Sequence, residues 1–381
     1  MNDKRAKKKA SWQKHLSTAV SLLVGCFAGI LLVPFLDHVY ALQVPFSVLF
    51  LLAAMIFAVL VQLVIHEAGH LVFGLLTGYR FISFRIANLI WVKENDKIKC
   101  RRLHVAGTAG QCLMAPPEPV DGKMPVVLYN LGGALMNAVS TFVFFGLYAL
   151  LPGESLAAVA MSVLAIMGLV IAITNAVPMR TGTVDNDGYH AVLLACDEDA
   201  LRSFWVQLKV TEQTAKGVRL KDMPEEWFVV PADEKMKNSL TAAIGVFACN
   251  RLMDAHAFDE ANTLMAHMLE TDNGMVGLHR SLMICDRMYC ELITQNRRAI
   301  LNEMQSTEQK KFMKAMKNFP SVLRTEYVYA LLHEKDRIKA SKLKAQFEKL
   351  AKKYPYPSDI QSERELMEIA ETRMDARSLE C

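Results

Sequence analysis

Two long stretches without lysine or arginine constrain the fold of this chain more than any other feature. No basic residue occurs between Lys14 and Arg80 or between Lys123 and Arg180, although the chain has 43 Lys and Arg in 381 residues. Each stretch is long enough for two membrane-spanning helices, because a bilayer core requires about 20 apolar residues per helix. The sequence therefore predicts four spans in two helical hairpins, over residues 16–36, 46–76, 125–151 and 156–177.

The distribution of charge predicts the orientation of these spans. The N-terminal 14 residues and segment 80–123 are rich in Lys and Arg, whereas the loops 37–45 and 152–155 contain none. Because cytoplasmic loops carry an excess of basic residues, we expect both termini of this multi-pass protein to lie in the cytoplasm. The expected location is a bacterial plasma membrane. The net charge is only +4 and topology accounts for the basic residues, so nucleic-acid binding is not expected.

The composition changes near residue 189. Its averages, 52% hydrophobic and 22% charged residues, combine a very apolar first half with an ordinary charged second half. We predict a mainly α fold with a basic cytoplasmic N-terminus over 1–15, a transmembrane core over 16–190 and a soluble α-helical domain over 191–381. The eight cysteines lack CxxC spacing and fall mostly in predicted spans or cytoplasmic parts, so no structural disulfide is expected.

The second predicted span contains a metal-binding motif, His66-Glu67-Ala68-Gly69-His70. Residues four apart share one face of a helix, so both imidazoles can reach one metal ion, for which zinc is suited, with Glu67 beside them. Ionisable groups inside a span cost roughly 2.5–3.5 kcal/mol and are rarely kept without a task. The alternative, a polar helix end in the headgroup region, is disfavoured by the apolar residues that follow His70.

The third ligand is expected after the fourth predicted span, where the chain returns to the same side of the membrane. A catalytic zinc usually has three protein ligands and leaves one position for water. Residues 175–190 read NAVPMRTGTVDNDGYH, in which Asp185 and Asp187 are both candidates.

Three elements together resemble the site-2 protease family of intramembrane zinc metalloproteases. They are HEAGH in an apolar helix, a Gly-x-x-x-Asn element at 133–137, and an Asn-x-x-Pro element at 175–178 that leads to Asp187-Gly188. The resemblance covers residues 46–190. The segment between Pro178 and Asp187 is longer and more polar than in the family, which keeps Asp185 as an alternative ligand.

The resemblance implies a zinc metalloendopeptidase that cuts membrane-anchored proteins or peptides in or near their transmembrane segment. It implies that Zn²⁺ is bound by His66, His70 and Asp187. It also implies that Glu67 activates the attacking water. For Asn137 and Asn175, contact with the oxyanion or the substrate and simple bridging between helices are equally open interpretations.

A transmembrane substrate must be unwound before hydrolysis, and the sequence suggests where its extended form could bind. Residues 81–95 and 97–105 alternate apolar and polar residues around Asn95-Asp96, which predicts a small cytoplasmic β-hairpin. Its free edge could add the substrate as a strand, or the hairpin could only cover the site. The Gly- and Pro-rich segment 107–117 is predicted to be a loop, re-entrant or otherwise.

The C-terminal domain is predicted to be helical throughout. Segments 243–253 and 258–269 resemble one helix-turn-helix of a tetratricopeptide array, which could recognise a protein partner or only stabilise the enzyme. Two other functions remain possible from the sequence: a catalytically inactive relative that binds membrane helices as a scaffold, and a metal transporter or sensor. Against these, all four catalytic positions are present and the spans hold few other metal-binding residues.

Overall fold

The computed structural model describes residues 22–34, 39, 47–94, 97–105, 109–153, 155–179 and 185–379. Over these residues the chain is mainly helical and has one small antiparallel sheet. It divides into two compact units. The apolar unit comprises Met1–Phe81 with Ala109–Leu201, and the helical unit comprises Ile82–Thr108 with Arg202–Cys381. The sequence-based division at residue 190 differs, because segment 82–108 groups with the C-terminal helices.

The apolar unit is built mainly from long helices without charged ends. Its helices are α1 (Leu22–Pro34), α2 (Ser47–Leu76), α3 (Val127–Leu150), α4 (Leu156–Ala176) and α5 (Asp187–Cys196). Among the described residues, α2, α3 and α4 are long and apolar enough to cross a membrane, which confirms the second to fourth predicted spans as helices of that kind. The first predicted span, 16–36, lies partly outside the described residues; its described part is the shorter apolar helix α1.

Local sequence explains where these helices begin and end. The hydroxyl of Ser155 accepts a hydrogen bond from the Ala158 amide at 3.1 Å and so caps the start of α4. The end of α4 at Ala176 precedes Pro178, which disfavours a helical conformation for the residue before it. Helices α3 and α4 pack against each other, and α4 ends before the two candidate ligands Asp185 and Asp187.

Glycines allow α2 and α3 to pack backbone to backbone. A Cβ on Gly69 would collide with the carbonyl of Gly132, and a Cβ on Gly132 would lie 2.7 Å from the Gly69 carbonyl oxygen. Small residues at such a crossing are typical of closely packed apolar helices. The crossing therefore lies inside the HEAGH motif itself.

The helical unit contains most of the remaining α-helices. They are α7 (Ser239–Asp254), α8 (Phe258–Glu270), α9 (Gly277–Ile293), α10 (Arg298–Met304), α11 (Thr307–Ala315), α12 (Pro320–Val328), α13 (Arg337–Ala351) and α14 (Pro357–Leu379). The preceding helix α6 (Glu198–Ala215) begins in the apolar unit and continues into the helical unit. The predicted helices over 243–253 and 258–269 are confirmed by α7 and α8, which pack together.

The sheet has four strands in the order β3-β2-β1-β4. They are β1 (Arg80–Ile86), β2 (Leu89–Glu94), β3 (Lys97–Arg102) and β4 (Gly110–Ala115). The β2–β3 pair, with Glu94 opposite Lys97, confirms the predicted hairpin, although its tip, 95–96, lies outside the described residues. The prediction of a single hairpin was incomplete. Its first arm contains two strands, which turn at Ala87.

Two features explain what the strand prediction missed. Ala87 has a φ of 51°, a left-handed conformation that favours glycine, so its identity gave no sign of a turn. The segment 107–117 was predicted to be a loop, but residues 110–115 form β4, because pairing with a neighbouring strand overrides the turn preference of its glycines and prolines.

Strand β2 and the residue that follows β3 contribute to the core of the helical unit. Ile90, Val92 and Leu103 are buried in one apolar cluster with residues of α7 to α14. The amide of Arg102 donates a hydrogen bond to the carbonyl of Lys353 at 3.3 Å. The predicted hairpin is therefore an integral part of the helical unit.

Candidate metal centre

The two histidines of the HEAGH motif and Asp187 meet in the apolar unit. His66 Nε2 and His70 Nε2 lie 3.2 Å apart. Asp187 Oδ2 lies 3.0 Å from His66 Nε2 and 3.4 Å from His70 Nε2. Both imidazoles are buried and Asp187 is half-buried. This is the group of side chains, among the described residues, that could hold a metal ion, and it contains Asp187 rather than Asp185.

The opposite side of each imidazole ring faces a hydrogen-bond acceptor. His66 Nδ1 donates to Asn137 Oδ1 at 2.7 Å, and His70 Nδ1 donates to the carbonyl of Tyr129 at 2.8 Å. A neutral ring with its proton on Nδ1 has its lone pair on Nε2. Each histidine is thus held in the form that presents a metal-binding nitrogen to the centre.

The donor set fits a zinc ion. With both Nδ1 atoms protonated, three lone-pair atoms converge, and Asp187 Oδ2 is buried with no hydrogen-bond partner among the described residues. Such an arrangement is repulsive unless a metal cation or an additional proton lies between the atoms. In a tetrahedral site with bonds of about 2.0–2.1 Å, ligand atoms lie about 3.3 Å apart, close to the observed 3.0–3.4 Å.

Asn137 is fully buried and bridges α2 and α3. Its Nδ2 donates to the carbonyl oxygen of Gln62 at 2.9 Å and to Gln62 Oε1 at 2.8 Å, while its Oδ1 accepts from His66. Both amide hydrogens are therefore engaged, which leaves none for an oxyanion. Of the two interpretations of Asn137, bridging between helices agrees with this geometry. Asn137 also orients the ring of His66 through the hydrogen bond from Nδ1.

We expect Asn137→Ala to weaken zinc binding by about 10- to 100-fold, the usual effect of removing a group that orients a histidine ligand. The alanine side chain cannot accept the Nδ1 proton of His66, so the ring loses its fixed orientation. Competition with a zinc chelator on the purified protein measures the effect. Ser162→Ala is the control, because Ser162 is also a buried polar residue but donates only to carbonyls of its own helix. Equal zinc affinity in both variants would contradict this role of Asn137.

Asn175 does not belong to the ligand group. Its Nδ2 donates to the carbonyl of Ile171 at 2.9 Å, within α4. Donor and acceptor lie on the same helix. The described residues therefore show no bridge from Asn175 to another helix, which was one of its two interpretations. Asn175 is only half-buried, and its role toward a substrate stays a prediction.

Asn186, which the sequence analysis did not single out, positions Asp187. Its Oδ1 accepts from the amides of Tyr189 at 3.0 Å and Met179 at 2.9 Å, and its Nδ2 donates to the carbonyls of Thr174 at 2.8 Å and Val177 at 2.6 Å. It therefore caps α5 and ties the start of that helix to the end of α4. An Asn before a short apolar helix was an available N-cap signal.

The glycine after Asp187 has a steric reason. A Cβ on Gly188 would collide with the carbonyl of Ala176 and would lie 2.9 Å from that of Asn175. The first turn of α5 thus approaches the end of α4 more closely than any other residue would permit. In the Asp-Gly pair, Asp187 is the candidate ligand, and Gly188 allows α5 to lie close enough to α4 for Asp187 to reach the histidines.

Glu67 is buried at 7% exposure beside β4. A Cβ on Gly110 would collide with the Glu67 carboxylate, so this strand passes directly along the side chain. The hydroxyl of Tyr129 donates to the carbonyl of Cys112 at 3.0 Å and ties β4 to α3. Burial, and to a smaller extent the charge of Glu67, together raise the pKa of the Cys112 thiol to about 12, so the thiol stays protonated.

Comparisons with protein-family models, curated proteins and solved structures find no match to this chain.

Proposed function

We propose that this chain is an intramembrane zinc metalloprotease of the site-2 protease type, with α1 to α4 as its spans and both termini in the cytoplasm. The observation that carries the proposal is the convergence of His66, His70 and Asp187 in a unit whose long helices can cross a membrane. Glu67 supports an enzyme over a metal-binding scaffold or transporter, because it is buried beside this group without belonging to it.

Under this proposal, the residues present would carry out peptide hydrolysis as follows. Bound zinc would supply Lewis acidity, lowering the pKa of a water toward about 7 and polarising the scissile carbonyl. Glu67 would accept the proton of the attacking water at its carboxylate and pass it to the leaving amine. Burial of the site among apolar helices keeps bulk water from competing for the carboxylate.

The strand beside Glu67 suggests where the substrate lies. A transmembrane segment must leave its helical conformation before its peptide bonds can be attacked, and an extended segment is stabilised by pairing with a strand. The sequence left open whether the free edge of the predicted hairpin binds the substrate or the hairpin only covers the site. Since the strand that contacts Glu67 is β4, we propose that the unwound substrate lies along β4.

Metal dependence of cleavage tests the proposal. We expect purified protein in proteoliposomes to contain about one zinc per chain and to cut single-span synthetic peptides that carry a helix-breaking proline inside the span. Phenanthroline should abolish cleavage, and added zinc should restore it. Zinc without any cleavage would favour the scaffold, and zinc accumulation inside the vesicles would favour the transporter. Protein without bound zinc would contradict both the metal site and the enzyme.

A further inference from the structure

Gln62 has no role in the HEAGH motif and is not one of the three candidate metal ligands. It lies on α2, one turn before His66, and is completely buried. Its Nε2 donates to the carbonyl of Leu164 on α4 at 2.9 Å. Its Oε1 accepts from Asn137 Nδ2 at 2.8 Å and from Ser140 Oγ at 2.9 Å, both on α3. One amide side chain thus connects three apolar helices.

Space for this amide is built into α4. A Cβ on Gly168 would lie 2.6 Å from Gln62 Nε2 and 2.6 Å from Thr141 Oγ1. Any larger residue at 168 would displace the Gln62 side chain or the Thr141 hydroxyl. The absence of a side chain at Gly168 therefore leaves the space on α4 that the Gln62 side chain needs to reach it from α2.

Four hydrogen bonds connect Leu164 to His66 through Gln62 and Asn137. Two backbone carbonyls determine which group donates in each of these bonds. A carbonyl only accepts, so the bond to Leu164 fixes which end of the Gln62 amide is the NH₂ group. Gln62 Oε1 then faces Asn137, and the carbonyl of Gln62 itself also accepts from Asn137 Nδ2. Asn137 must consequently present Oδ1 to His66, which requires the proton of His66 on Nδ1.

We infer that Gln62 is a positioning residue of the metal site, which sets the tautomer of His66 through Asn137. Without the Gln62 side chain, the amide of Asn137 keeps only one of its two acceptors, the backbone carbonyl of residue 62, so its orientation is held less firmly. A flipped amide donates to His66 Nδ1, moves the ring proton to Nε2 and blocks the nitrogen that faces Asp187. The inference deepens the proposed function and rests on its metal site.

Gln62→Met tests the inference, since methionine has a similar length and no hydrogen-bonding amide. We expect zinc affinity, measured by chelator competition on the full-length protein, to fall about tenfold, less than for Asn137→Ala. In the zinc-loaded variant, the Nδ1 proton of His66, followed by ¹⁵N NMR, should exchange with solvent faster than in the wild type, because its acceptor Asn137 Oδ1 is held less firmly. A merely structural role of Gln62 would change stability and leave the exchange of this proton as in the wild type.

A double-mutant cycle separates action through Asn137 from general damage. If Gln62 acts through Asn137, the double variant Gln62→Met/Asn137→Ala should bind zinc as weakly as Asn137→Ala alone. Ser140→Ala is the matched control, because it removes a bond to the same Oε1 but leaves the chain from Leu164 to His66 intact. Additive losses, an Nδ1 proton of His66 that exchanges as in the wild type, or an equal loss in the control would overturn the inference. Absence of zinc from the wild type would instead refute the metal site on which it rests.

Discussion

Glu67→Gln is expected to reduce peptide cleavage by about 10²- to 10⁴-fold, the range attributed to general acid–base catalysis, while bound zinc stays near the wild-type amount. Glutamine has the shape of glutamate but cannot take up the proton of the attacking water. The ligand group consists of His66, His70 and Asp187, so removing the charge of residue 67 leaves all three donors in place. Cleavage and zinc content are to be measured on the same preparation.

Two controls make the Glu67→Gln result specific. His70→Ala and Asp187→Asn should both lose zinc and cleavage together, because each removes one of the three converging donors. Cleavage that survives in Glu67→Gln would exclude Glu67 as the base. Loss of zinc from Glu67→Gln would mean that this carboxylate takes part in metal binding, contrary to its separation from the ligand group.

The part of this site that the sequence predicted depends on short-range geometry. Two histidines four residues apart must share a helical face, and the apolar stretches around them had to form long helices. Sequence spacing after Pro178 did not by itself decide whether Asp185 or Asp187 is the third ligand. The choice depends on Gly188, whose missing side chain lets α5 approach the end of α4.

What the sequence did not predict depends on contacts between distant segments. Gln62 and Asn186 are ordinary polar residues until the helix crossings bring carbonyl and amide partners to them. The strand β4 lies between glycine and proline signals that normally indicate a loop. Its conformation depends on pairing within the sheet, which no local pattern encodes.

The assignment of segment 82–108 to the helical unit illustrates the same limit. Its alternating pattern predicted strands, but such a pattern identifies only one apolar face and not the surface that covers it. Ile90, Val92 and Leu103 are covered by the C-terminal helices, more than a hundred residues later in the chain. A sequence-based boundary drawn at the last span could not include this contact.

Arg324 in the helical unit is expected to contribute more to stability than any surface ion pair. Its side chain is 1% exposed, and its guanidinium contacts Asp286 and donates from Nε to Glu363 at 2.8 Å. It also lies 4.6 Å from the ring centroid of Tyr289. Burial lowers the pKa of Arg324, but Glu363 and Asp286 raise it to a net value above the usual range, so the charge is retained.

Arg324→Met should lower the free energy of unfolding of the helical unit by about 3–5 kcal/mol, because the buried carboxylate of Asp286 and the mostly buried carboxylate of Glu363 lose their shared cation. Urea unfolding of the full-length protein in detergent, followed by tryptophan fluorescence, measures this change. The matched control is Arg364→Met: Arg364 pairs with Glu348 at 2.9 Å, but both side chains are about 40% exposed, so its loss should cost at most about 1 kcal/mol. Similar losses for the two variants would contradict the role assigned to Arg324.

The pH dependence of Arg324→Met gives a second, independent check. Burial already raises the pKa values of Asp286 and Glu363 in the wild type, against the lowering effect of Arg324. Removing Arg324 raises both pKa values further above the unfolded-state value of about 4. A carboxyl with a raised folded-state pKa loses stability as the pH rises from the unfolded toward the folded value, so the deficit should be largest above the raised values. It should narrow as the pH falls toward about 4, whereas a deficit independent of pH would indicate lost packing rather than uncompensated charge.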